Sequence, residues 1–247
     1  MLTIRESQMQ ILAAEPARQF EGQLERHLEK YFPHECRSGN TREFVRLGIE
    51  RASLHGIDTQ KDVALYLNLM AMLGCMFDVD PQIPWAGEQL DSPAAAPVSA
   101  RVSGVYEWAL AYLDNIGGKK CAYLLRAKLR LRKQNLNVLN ECQPNMLPAE
   151  LLAFLELIYP QKAQYQGEAA MKQLAMRAIT SCQSRGAAVN RSIAIHAIHM
   201  FFIGIAYDQD PLYPWAMILE DTTEPSVDAR FEKMFAQSLD FIESTLV

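Results

Sequence analysis

Apolar residues recur at helical spacing through most of the chain, and no convincing alternating run of the kind that makes a strand interrupts them. Met9, Ile11, Leu12, Phe20, Leu24 and Leu28 mark a first helix. It is expected to start at Ile4 behind a Thr3 cap, with Glu6 placed for a capping box, and to run to Tyr31. Pro16 should kink or split it, because proline removes a backbone donor and crowds the preceding turn. A second helix, about 41–55, puts Phe44, Leu47, Gly48 and Ala52 on one face and stops at Gly56. A third, 60–77, is capped by Asp58 or Thr59. Val63, Leu65, Leu67, Leu69, Met70 and Leu73 make it apolar on most sides, which places it centrally in the core. Further helices are expected at about 98–116, 119–140, 149–158, 168–185, 190–206 and 227–246. The fold class is therefore all-α.

One stretch occurs twice. Asp78-Val79-Asp80-Pro81-Gln82-Ile83-Pro84-Trp85-Ala86 returns as Asp208-Gln209-Asp210-Pro211-Leu212-Tyr213-Pro214-Trp215-Ala216, an offset of 130 between Asp78 and Asp208. The same offset pairs Gly74 with Gly204, Phe77 with Tyr207, Met70 with Met200, Gly56 with Gly186 and Ile49 with Ile179. An ungapped match over roughly forty positions reads as an internal duplication. It predicts two tandem related helical units, 1–117 and 148–247, joined within 118–147 by a basic connecting helix, the whole making one compact domain. Within each copy, Asp80-Pro81 suits a helix cap followed by proline at the first helical position. Trp85 is placed to fold back on the preceding helix.

Composition narrows the function. A chain of 247 residues that is 49% apolar and 21% charged is ordinary for a globular protein. Its net charge of −5 argues against bulk affinity for nucleic acid or an anionic membrane. Ser92-Pro93-Ala94-Ala95-Ala96-Pro97 reads as a short linker. Five cysteines without paired spacing, and no signal-peptide core at the start, point to a reducing, cytoplasmic setting. The longest apolar run, 192–207, is too short to span a bilayer, so no membrane insertion is expected.

Three constellations invite chemistry. The paired acids Asp78/Asp80 and Asp208/Asp210 resemble half of a hard-cation site, but the loop lacks the further oxygen ligands and the glycine turn such a site needs. Capping and loop rigidity, shared with Pro81, Pro84, Trp85, Pro211, Pro214 and Trp215, explain them better. His196 and His199 share a helix face that a zinc site can use. No His-Glu-x-x-His pattern accompanies them, and their counterparts are Tyr66 and Leu69, so a core or groove pair is favoured. The segment carrying Lys119, Lys120, Arg126, Lys128, Arg130, Arg132 and Lys133 could meet phosphates, yet Tyr123 is its one aromatic residue and no stacking platform exists. No nucleophile or phosphate-loop motif is present. The expectation is a non-enzyme without cofactor or metal, with Arg126, Lys128, Arg130, Arg132, Lys133, His196 and His199 as the partner-binding candidates.

Met1-Leu2-Thr3-Ile4-Arg5-Glu6-Ser7-Gln8-Met9, Leu47-Gly48-Ile49-Glu50-Arg51-Ala52 with Gly56-Ile57, and Phe77 through Ala86 carry a resemblance. Together they resemble a family of uncharacterised bacterial proteins found beside type VI secretion effectors and their adaptor chaperones. The resemblance is clearest over about the first ninety residues. It implies a protein partner, the secreted effector or its adaptor chaperone, and a role as co-chaperone in effector loading. The alternatives are an immunity protein that neutralises a cognate toxin, and a metal-dependent enzyme using His196 and His199.

Overall fold

The computed structural model describes residues 6–37, 39–92 and 96–244. The Thr3 cap, the middle of the Ser92–Pro97 linker and the end of the last helix lie outside them. The described chain is all-helical, without strands: α1 (Glu6–Tyr31), α2 (Thr41–Leu54), α3 (Gln60–Leu73), α4 (Pro84–Leu90), α5 (Val98–Gly117), α6 (Ala122–Lys133), α7 (Leu147–Ile158), α8 (Pro160–Arg185), α9 (Asn190–Phe202) and α10 (Val227–Ser244). Short 3-10 turns punctuate them. Among the described residues no helix is long and apolar enough to cross a membrane.

Several boundaries differ from expectation. α1 runs unbroken through Pro16, so the proline costs it a hydrogen bond without ending it. The expected helix 119–140 is in fact α6 plus a 3-10 segment, Leu136–Glu141. Lys120 and Cys121 are left-handed (φ 53° and 57°), which delays its start, and Gln134 is extended, which ends it. α8 begins at Pro160, eight residues early, and kinks at Gly167, where φ is 78°. α3 ends at Leu73, just before Gly74, and α9 at Phe202, two residues before Gly204, instead of running on to 77 and 206. Asp80 and Pro81 do not start a helix: Pro84 does, behind Ile83.

The early stops of α3 and α9 have one cause. Gly74 (φ +103°) and Gly204 (φ +134°) lie back to back, and a Cβ on Gly74 would stand 2.7 Å from the Ile203 carbonyl oxygen. Here the two halves cross at backbone distance, which only glycine permits. Around this point contacts are reciprocal. Asp80 accepts from the Ile205 backbone N–H at 3.1 Å. Asp210 accepts from the backbone of Cys75, the residue that corresponds to Ile205. Asp80 also accepts from Gln82 N–H at 2.8 Å, and Asp210 from Leu212 N–H at 2.9 Å.

The two Asp-x-Asp-Pro stretches share a conformation. Each opens on a 3-10 turn with the first Asp at its centre, Phe77–Val79 and Tyr207–Gln209. Asp80 sits at φ −78°, ψ 118° and Asp210 at φ −82°, ψ 116°. Packing order matches too: α1 lies on α2, α2 on α3 and α3 on α5, as α7 lies on α8, α8 on α9 and α9 on α10. Ser99 donates to Asp62 between α5 and α3, whereas Ser192 donates to Asp228 between α9 and α10, so donor and acceptor have changed places. The tryptophans diverge. Trp85, expected to fold back on the preceding helix, turns instead to Trp108 and Tyr112 of the following α5, whereas Trp215 packs on His199 of the preceding α9.

Candidate functional site

Asp78 and Asp208 occupy matching places, and their surroundings decide what each half offers. Near the end of α2, Arg51 Nη2 donates to both Asp78 oxygens, at 2.7 and 2.5 Å. His55 Nε2 reaches the same carboxylate at 2.8 Å while its Nδ1 meets Asp91 at 2.7 Å. Burial alone would raise the Asp78 pKa, but the hydrogen bonds from His55 and Arg51 carry it below the usual range. The same Asp78 bond, with help from Asp91, raises His55 despite its burial. This is a closed four-group clasp.

At the end of α8 the corresponding residues are Ser181 for Arg51, Arg185 for His55 and His196 for Tyr66. Arg185 Nη2 binds Asp208 at 2.5 Å and its Nη1 binds Glu220 at 2.9 Å. Among the described residues Arg185 is the one side chain donating to Asp208. Burial therefore wins, and the Asp208 pKa is raised where that of Asp78 is lowered. A cleft of about 620 Å³ opens over this position. Arg177, Ser181 and Arg185, one turn apart on α8, form one wall; Met200, Ile205 and Asp208 form the other. A second depression, with Asp78, Glu88 and Asp91 on its rim, meets the first at Gln173 and Arg177.

The histidine pair splits. His196 lines the cleft, but both ring nitrogens are occupied: Nε2 lies 3.0 Å from Ser181 Oγ and Nδ1 2.6 Å from the Tyr207 hydroxyl. Burial, aided by Arg185 and His199, pushes its pKa down to about 3. His199 is only 1% exposed. Its Nδ1 donates to the Ile195 carbonyl at 2.7 Å and its Nε2 lies 2.7 Å from Ser238 Oγ. Burial pushes its pKa down to about 4. The expectation that His199 touches a partner is thus wrong: it is sealed between α9 and α10. Among the described residues no group of three His, Cys, Asp or Glu side chains is placed to hold a metal ion.

The second acids of the repeated stretch are interior groups. Asp80 faces Lys162, whose ammonium donates to the Phe201 carbonyl. Burial lowers the Lys162 pKa to about 8 against the pull of Asp80. Burial likewise raises Asp80 against its N–H donors and Lys162. Asp210 has two backbone donors but no such cation, and burial lifts its pKa to about 7.

On α6 the basic residues also divide. Arg126, Arg132 and Lys133 are exposed. Lys128 is partly covered, and that burial lowers its pKa against nearby Glu35. Arg130 turns back to the Ile158 carbonyl at 3.4 Å. Leu125 and Leu129 stay outside, 37% and 49% exposed, and form an apolar seam among the outward cations.

Sequence reasoning singled out neither Arg51, His55 and Arg185 nor Ser181 and Lys162. The 130-residue offset held the signal: it sets Arg51 against Ser181 and His55 against Arg185, on the side of each helix that faces the first aspartate of its stretch. Comparison of the chain with protein-family models, with curated proteins and with solved structures finds no match.

Proposed function

We propose that the chain is a non-catalytic protein-binding protein that accompanies a type VI secretion effector in the cytoplasm, as co-chaperone or adaptor in effector loading. It uses no cofactor and binds no nucleic acid. One contrast carries this reading. The interior acids and histidines that could do chemistry are engaged by protein groups, whereas the open chemistry is of a contact kind: the cations and leucines of α6 and the cleft on α8. The resemblance of the three sequence segments supplies the effector.

The two halves, 1–117 and 148–247, are read as copies of one module, with 118–147 as the basic connector. Matching backbone angles at Asp80 and Asp210 and the exchanged Ser/Asp pairs support that reading. Two copies that lean together around one point provide two related but diverged faces, and α6 adds a third between them.

Deletion of the gene tests the role. Loss of effector secretion with the cell unharmed is the expected outcome. Self-killing on deletion would make the chain an immunity protein instead, and no change in either would remove both readings.

A further inference from the structure

The two halves place the same aspartate in two states, and the difference names a ligand. Over Asp78 the guanidinium of Arg51 spans both carboxylate oxygens. Over Asp208 the corresponding residue is Ser181, too short to reach, and the volume is open cleft. The rest of the arrangement is kept. Arg185 bridges Asp208 to Glu220 just as His55 bridges Asp78 to Asp91. What the second half lacks is one planar cation.

We propose that the α8 cleft receives an arginine side chain of a partner protein, its guanidinium laid on Asp208 in the place that Arg51 fills over Asp78. The assignment deepens the proposed protein-binding role and rests on reading the two halves as copies. Guanidinium is favoured over ammonium because a guanidinium fills the seat in the first half, its Nη2 within reach of both Asp78 oxygens, and a planar fork has further N–H groups to offer the same carboxylate. Arg185, Asp208 and Glu220 sum to one negative charge, against zero for Arg51, His55, Asp78 and Asp91 in the first half; Arg177 on the cleft wall balances that charge without an ion pair to Asp208. Met176, Met200 and Ile205 line the cleft and would flank the aliphatic stem. Arg177, on the same wall, has no ion pair among the described residues and is the one internal competitor for the seat.

The test is calorimetric titration of the full chain with N-acetyl-arginine methylamide, against N-acetyl-lysine methylamide and free arginine. The capped arginine is expected to bind in the range of about 1 mM, the capped lysine several-fold more weakly, and free arginine no better than the capped form. Ser181→Arg, which rebuilds the first-half clasp from within, is expected to weaken capped-arginine binding at least about tenfold and to raise the melting temperature. Asp208→Asn should weaken it as much. Binding undiminished in Ser181→Arg overturns the proposal. So does absence of binding by the wild type; if Arg177→Gln then restores it, the seat belongs to the chain's own Arg177. Free arginine binding more than about tenfold tighter than the capped form would make the cleft a small-molecule site. A chain that binds capped arginine yet forms no effector complex would keep this proposal and remove the effector reading. An effector complex without capped-arginine binding would do the reverse.

Discussion

Asp80→Ala is expected to cost the fold about 3–5 kcal/mol, because it leaves buried N–H donors without their acceptor and takes from the buried Lys162 the nearby carboxylate that offsets its charge. Asp80 is 3% exposed, and four groups depend on it, among them the Gln82 side-chain amide at 3.1 Å. Gln82 N–H and Ile205 N–H lose their acceptor, and Lys162 loses the carboxylate that supports its charge. The loss falls where the two halves cross. Lys162→Met alone should also destabilise, since Asp80 then stands buried without its cation. The double variant should be less harmful than the two single costs added together, as expected when both groups share one interaction. Urea midpoints of the four proteins check this. Additive costs would mean that Asp80 and Lys162 are not coupled.

Acid should unfold the protein, and His199→Leu should blunt the effect. His196 and His199 are held neutral, at about 3 and about 4 from an ordinary 6.5. Below 6.5 the unfolded chain takes up protons that the folded chain refuses, so stability falls with pH until the folded values are reached. Between pH 6.5 and 4 the two together remove about 5–6 kcal/mol. Asp210 works the other way. Its folded pKa of about 7 exceeds the ordinary 3.8, so the folded state binds the proton more tightly and stability rises as pH falls through 7. Over the same range that offsets about 3 kcal/mol and leaves a net loss of about 2–3 kcal/mol from these three groups. His199→Leu copies Leu69, its counterpart in the first half, and Ser238 keeps its bond to the Phe235 carbonyl at 2.8 Å. The variant should lose little stability between pH 7 and 4.5, where the wild type loses clearly. Parallel curves for both proteins would show that His199 is not held neutral by the fold.

Helices were legible wherever an apolar face recurs. α2 and α5 fall close to where their periodicity puts them, and α9 is buried on every side, as its run of apolar residues suggests. Their ends were not. α3 and α9 look helical through Phe77 and Ala206, but Gly74 and Gly204 end them early because another backbone passes there, and no local signal reports a neighbour so distant along the chain. The two Asp-x-Asp-Pro stretches were recognisable as similar in sequence, yet only the folded chain separates the roles of their acids. The first Asp of each binds within its own half, to Arg51 and His55 or to Arg185. The second reaches across, to Ile205 or Cys75. The histidines misled because i, i+3 spacing places two rings on one face without saying which opens to solvent. Here α10 covers His199 and the cleft reaches only His196.

The outward cations of α6 are the most direct handle on the protein-binding role. Co-expression of the chain with a type VI effector of the kind the proposed function assigns to it, followed by size-exclusion chromatography, should give one stoichiometric complex. Changing Arg126 and Lys133 to Ser should dissolve that complex while leaving the melting temperature of the chain unchanged, since both side chains are exposed. Two proteins that elute separately, with the wild-type chain folded, would contradict the account.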